Sequence, residues 1–379
     1  MMRLLFLSAD PGVPVLGHKG ASVHVRELVG ALHRAGADVH VASPRVAPEG
    51  DRLHAPVALH TIGPVLPKAH SDAAALAATV DRQAAEVLEL AQALGVEAVY
   101  ERFSLYSAAG ARAAAALGIP HVVEVNAPLR EEAARFRTLH HPQAAALLER
   151  ETLADADRVL AVSAMLARRL VADGVPADVV EVLPNAVDCA RFSPPARDPE
   201  RFIVGFAGSL KPWHGIDVLV EALAAVPEAH LEVVGGGPCL DSLDALPPER
   251  VTHLGTLPHD DATAAMGRWD AGVAPYLPLD GFWFSPLKVL EYMAAGCCPV
   301  VSDLGDARDV LGDGRRGVLV VPGDPAALAQ ALRALARDRP LARHLGSAAR
   351  AWVAEERTWA AVAERVLETL RGRALGRAA

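Results

Sequence analysis

The sequence predicts an α/β protein built as two doubly wound domains that face a central cleft. Three observations predict it. The chain has 379 residues, and a single hydrophobic core stops growing near roughly 250–300 residues, so two domains are expected. Short apolar runs alternate with amphipathic helical stretches in both halves, the pattern of parallel strands covered by helices. Between the halves, residues 184–200 hold Pro184, Pro194, Pro195 and Pro199 with little periodicity, which marks a linker.

Taken in order, residues 4–8 form a short apolar strand, and residues 10–20 a loop rich in Gly and Pro. Val25, Leu28, Val29 and Leu32 then recur at i, i+3, i+4 and i+7, one face of a helix. Gly36 suits its C-terminal end. Val39 and Val41 alternate in the next strand. Strands are expected at 98–102, 121–125, 158–163 and 179–183, with one helix around 129–155 and another at 164–173. After the linker, 202–207 is a strand, and Ile216, Leu219, Val220 and Leu223 mark a helix face. Further strands are expected at 231–234, 251–254, 272–275, 299–302 and 317–321. Helices at 325–337, 340–354 and 359–371 close the chain. In doubly wound sheets ligands sit beyond the carboxyl ends of the strands, so the informative residues belong in the loops after strands.

Hydrophobic residues make up 51% of the chain, enough for two cores, and charged residues 22%, an ordinary surface. The formal charge of −9 argues against a nucleic-acid backbone as main partner, because phosphate contacts need a basic face. The four cysteines, Cys189, Cys239, Cys297 and Cys298, form no CxxC pair. No disulfide framework and a reducing, cytoplasmic compartment are therefore expected. The apolar start at 4–7 meets Ser8 and Asp10 at once, too short for a secretory leader. No run of about 18 apolar residues predicts a spanning helix; peripheral contact with a membrane stays open.

Four loops and two strand ends carry the chemistry. In residues 284–296, Ser285 can cap a helix and Pro286 suits its first position. Leu287, Leu290 and Ala294 then share the core face, and Lys288 and Glu291, three apart, another. A helix start offers unpaired N–H groups to a phosphate, Lys288 adds a full charge, and Glu291 can accept bonds from ribose hydroxyls. An ordinary capped core helix with a Lys–Glu surface pair uses the same residues. The segment Gly17-His18-Lys19-Gly20-Ala21-Ser22 lets backbone approach a ligand closely. In residues 208–215, Lys211 and His214 can meet a diphosphate. Residues 233–238 end a strand in three glycines. Arg102, Glu124 and Asn126, at the ends of two strands of the first half, are candidates for acceptor binding, or else a buried Glu–Arg pair that orders loops.

These segments, in this order, resemble glycosyltransferase family 4, retaining enzymes of the GT-B fold with two Rossmann-like domains. They read like its subset with Trp-His-Gly and Ser-Pro-Leu-Lys. The resemblance rests most on residues 284–296 with Pro299-Val300-Val301-Ser302, then the loop at Gly20, then Pro184-Asn185-Ala186-Val187-Asp188. It implies an acceptor-binding domain at 1–190, a nucleotide-sugar domain at 191–355, and a helix at 356–379 that crosses back. It also implies that Ser285, Pro286, Leu287 and Lys288 cradle the donor diphosphate, with Gly17, Gly20 and Ser209, while Glu291 holds ribose. Lys288, Lys211 and His214 are the expected catalytic groups, offsetting charge on the leaving phosphate, and Arg102, Glu124 and Asn126 hold the acceptor.

Two positions depart from the family pattern. Trp283 stands where its first glutamate falls, which leaves the sugar to Asp280 or to backbone at Phe284. Ser209 and His214 stand where Arg and Lys are frequent. The implied reaction moves a hexosyl group from a nucleotide diphosphate sugar, UDP favoured over GDP or ADP, to a hydroxyl of a small polar or glycan acceptor. A lipid acceptor stays open. Neither an Asp-x-Asp metal motif nor a metal or other cofactor is expected. Monomer and homodimer are both compatible. A GT-B nucleotide-sugar epimerase and a non-catalytic nucleotide-sugar-binding protein are the competing readings.

Overall fold

The computed structural model of the chain describes residues 1–46, 53, 55–63, 72–193, 195–278 and 287–378, apart from the side chains of 374–378. In the first domain, strands β1 (Arg3–Ser8), β2 (Asp38–Ser43), β3 (Ala58–Thr61), β4 (Ala98–Arg102), β5 (His121–Val125), β6 (Arg158–Ala161) and β7 (Val180–Val182) form one sheet. Its order is β3-β2-β1-β4-β5-β6-β7, and every neighbouring pair is parallel. Helices α1 (Gly20–Arg34), α2 (Ala73–Leu94), α3 (Ala109–Leu117), α4 (Leu129–Phe136), α5 (Pro142–Ala154) and α6 (Ala164–Ala172) connect the strands.

The second domain repeats the plan. Strands β8 (Phe202–Ala207), β9 (Ala229–Val234), β10 (Val251–His253), β11 (Ala271–Ala274), β12 (Cys298–Ser302) and β13 (Val318–Val320) form a parallel sheet in the order β10-β9-β8-β11-β12-β13. With them come α7 (Ile216–Ala224), α8 (His259–Met266), α9 (Leu287–Ala294), α10 (Ala307–Leu311), α11 (Pro325–Arg337), α12 (Arg339–Glu356) and α13 (Trp359–Ala378). In each sheet the chain reverses its direction of winding beside the first strand, between β1 and β4 and between β8 and β11. That is where a doubly wound sheet opens a crevice for a ligand.

Helix α13 does not stay with the domain that precedes it. Trp359, Val362, Ala363, Val366 and Leu370 make one apolar stripe, and all join the first-domain core around Phe6, Leu28 and Tyr100. The chain therefore passes between domains twice, and the two passages are tied where the Val187 N–H donates to the Arg357 carbonyl at 2.9 Å. Beside them, Arg191 pairs with Glu27 of α1 and, at 2.5 Å, with Asp260 of α8.

The structure corrects the expected helix around 129–155. It is two helices, broken where Arg137 turns extended at φ −142° and ψ −164°. Pro142 then starts α5, since its ring and missing N–H suit a first turn and not a helix interior. Strand β3 and helices α2 and α3 add elements that the periodicity did not single out.

Candidate active site

The strand-end loops of both domains enclose a cleft of about 550 Å³. Its walls include Gly17 and Gly20 and, from the second domain, Ser209, His214, His259, Leu287, Lys288 and Glu291. A second cavity of about 210 Å³, at the linker side of α9, holds none of the candidate residues.

On the first-domain side, α1 starts at Gly20 with no side chain capping its first turn. The leading N–H groups of a helix have no partner within it. A Cβ added at Gly20 would meet nothing within 4 Å, so the space over this helix start is open. The loop before it is held from beneath: the buried Arg26 guanidinium donates to the carbonyls of Val15 at 3.0 Å and Gly17 at 2.5 Å.

On the other side, Lys288 lies in the first turn of α9. Its Nζ is buried without a hydrogen-bond partner among the described residues. The ammonium lies 4.3 Å from the ring centroid of Phe206 and 5.4 Å from that of Tyr276. Burial pushes the amine down to about 7, against the opposing pull of Glu291. Gly208, at φ +127°, passes so close that a Cβ there would lie 3.1 Å from Nζ. Gly235, at φ +121°, is itself in the cleft wall, and a Cβ there would sit 2.1 Å from the Gly208 carbonyl oxygen. Its bareness lets the β8 and β9 loops pack, which in turn shapes the Lys288 pocket.

His214 sits in a 3-10 turn at Pro212–His214, its ring 5.5 Å from that of Tyr276. Burial, with the charge of Lys288, pushes its imidazole down to about 3, so it is neutral at neutral pH. Nδ1 donates to the Ser209 carbonyl, which leaves Nε2 as an acceptor. His214 therefore brings no positive charge to a leaving group. Lys211 carries one, but it is no part of the cleft wall; its Nζ stands 5.9 Å from the Trp213 ring.

Glu291, one turn after Lys288, is buried at 9% exposure, and its Oε1 takes the Nε2–H of His259 at 2.9 Å. Sequence reasoning missed His259. Its one available signal was position, the start of a helix after a strand, as for the other candidate loops.

Arg102, Glu124 and Asn126 come together at the ends of β4 and β5. Arg102 donates to Glu124 Oε1 at 3.0 Å, Asn126 Nδ2 donates to the same oxygen, and the Tyr100 hydroxyl donates to Oε2 at 2.5 Å. Burial would raise the Glu124 carboxyl, but neighbouring His24 and Arg102 and these hydrogen bonds hold it below its ordinary value. His24 of α1, pushed down to about 4 by burial, packs edge-on against Trp359 at 5.0 Å. Both Glu124 oxygens are engaged inside the protein, and Arg102 and Asn126 are the half-buried members of the group.

Ser285 and Pro286, with Asp280, Trp283 and Phe284, lie outside the described residues. The chain does contain one Asp-x-Asp tripeptide, Asp155-Ala156-Asp157. It precedes β6 at the amino ends of the strands, away from the cleft, where Asp157 accepts the His121 N–H at 2.8 Å.

Two Rossmann-like sheets with their carboxyl-end loops turned to one cleft define the GT-B class of fold. Sucrose-phosphate synthase from Thermosynechococcus elongatus superposes on the chain with a TM-score of 0.79 at 21% identity, covering 100% of both. HepE of Anabaena, solved with UDP and glucose, gives 0.75 at 20% identity over 98% of this chain and 100% of that one. In sequence, the profile of Glycosyltransferase Family 4 matches residues 18–191, and that of Glycosyl transferases group 1 matches 201–338. A GDP-mannose-dependent alpha-mannosyltransferase of Mycolicibacterium smegmatis is 30% identical over 378 residues, 95% of this chain and 96% of that protein. Alpha-maltose-1-phosphate synthase of the same organism is 28% identical over 409 residues, 98% and 99% of the two. The chain belongs to glycosyltransferase family 4, and it is a glycosyltransferase.

Proposed function

We propose that the chain moves a hexosyl group from a nucleotide diphosphate sugar to a hydroxyl of a small polar or glycan acceptor, with retention and without a metal ion. The observation that carries this reading is the Lys288 ammonium, buried with no acceptor among the described residues and facing the same cleft as the uncapped start of α1. A buried cation without a counterion is costly, and an anion supplied by a ligand removes the cost. A diphosphate between Lys288 and the Gly20 N–H groups does so from both domains.

As the bond from the sugar C1 to the β-phosphate oxygen breaks, negative charge gathers on that phosphate. The Lys288 charge and the helix N–H groups stabilise it more in the transition state than in the ground state. The acceptor oxygen forms its bond to C1 on the face the phosphate leaves, and its proton passes to a phosphate oxygen. Asn126, held by Glu124, is placed to meet the acceptor, with Arg102 and Glu124 acting through it. Glu291 takes the ribose hydroxyls.

The HepE complex makes a UDP-sugar the first donor to try, and the relatives named for GDP-mannose make that donor its main rival. Thermal-shift screening of UDP-, GDP- and ADP-sugars tests the reading, since only a ligand that prefers the folded state raises the melting point. A stabilising donor is then assayed for product, with the anomeric configuration read by NMR. No shift with any of the three classes overturns the donor reading; an inverted product overturns retention.

A further inference from the structure

We propose that His259 is a positioning residue that fixes the Glu291 carboxylate for the ribose diol of the nucleotide, an inference that rests on Glu291 being the ribose contact. His259 is the first residue of α8 and only 8% exposed. Its Nε2 meets Glu291 Oε1 at 2.9 Å, across 32 residues of chain. A carboxylate accepts, so Nε2 carries a proton. Nδ1 is buried and has no partner among the described residues, so among them the ring hydrogen-bonds to Glu291 alone. The Phe192 ring stands edge-on to the imidazole at 6.4 Å.

A glutamate on a helix rotates freely about its last torsion unless something holds it. With Oε1 tied to His259, Oε2 has no hydrogen-bond partner among the described residues. Holding that rotation before the ligand arrives removes part of the ordering cost of binding. The benefit belongs to ligands that use the carboxylate. A nucleotide without ribose hydroxyls should not sense His259.

The test is calorimetric titration of the full chain with UDP, GDP and ADP, then of whichever binds best against its 2′,3′-dideoxy counterpart. For His259→Asn, whose amide is too short to reach Oε1, affinity for the ribonucleotide should fall about tenfold while that for the dideoxy form holds. His259→Gln, whose amide nitrogen reaches the place of Nε2, should regain most of the loss. The double variant with Glu291→Gln should be no weaker than Glu291→Gln alone. Transfer assays should show the loss in donor KM, with kcat at saturation kept. Equal loss for both nucleotides, or no rescue by Gln, overturns the positioning role while Glu291 keeps its own. If the wild type and Glu291→Gln both bind the two nucleotides equally, or nothing binds, the ribose reading falls and takes this inference with it.

Discussion

Lys288 rests its ammonium 4.3 Å from the ring centroid of Phe206 and has no hydrogen-bond acceptor among the described residues. A ring face is a weak substitute for a carboxylate, worth about 0.5–2 kcal/mol. Burial therefore pushes the amine down from its usual 10.5 to about 7.

Donor binding should depend on pH through this group. Below pH 7 the free protein holds the ammonium, and above it the neutral amine. A diphosphate selects the ammonium, so donor affinity should fall as pH rises from 7 to 9, by at most about tenfold per unit for one linked proton. At pH 8 the binding heat should vary with the ionisation enthalpy of the buffer, reporting proton uptake. Affinity that stays flat over this range would remove Lys288 from the diphosphate site.

Lys288→Ala should cut kcat by about 10²–10³-fold, the usual loss for one electrostatic donor at a leaving group. Circular dichroism checks folding, and initial-rate kinetics give kcat apart from KM. Unchanged kcat and donor KM would make α9 an ordinary core helix.

Turnover should survive EDTA, because the charge assigned to the leaving phosphate comes from Lys288 and helix N–H groups. The assay is transfer with and without chelator, then with Mg²⁺ or Mn²⁺ restored. Activity lost in EDTA and recovered with either ion would refute the metal-free reading.

Asn126→Ala should raise the acceptor KM or lower kcat while donor affinity holds, since Asn126 ends a strand of the first domain. Removing its bond to Glu124 leaves Arg102 and Tyr100 to satisfy the carboxylate, so the fold should tolerate the change. An equal loss in donor affinity would move this strand end to the donor side.

Trp359→Ala should destabilise the protein by about 3–5 kcal/mol, the range for an aromatic removed from a core. Trp359 is 3% exposed and packs with Phe6 and Leu28 of the first domain. Denaturant unfolding measures it; a loss under about 1 kcal/mol would mean that α13 is not held by this docking.

The strands rich in Val, Ile and Leu were legible because both faces of a parallel strand are buried. Strand β3 escaped because its four residues, Ala58 to Thr61, lie half-buried or exposed at the sheet edge and carry little apolar signal. In the cleft, Gly20, Lys288 and Glu291 were legible because each occupies a strand–turn–helix motif with local chemistry. His259 was not, since its partner lies 32 residues away and only the packing of α8 against α9 joins them. The neutral state of His214 is likewise a property of its surroundings, Tyr276, Phe206 and Lys288, which no local pattern encodes.

The hydrogen bond from Val187 to Arg357 joins the two stretches of chain that run between the domains. Two bodies tethered at two neighbouring points keep one soft degree of freedom, rotation about the line through the tethers, like covers about a spine. Donor entry and product escape can both use that rotation. A substitution that stiffens or loosens the spine at Val187 should then change kcat and KM together while touching no reacting atom.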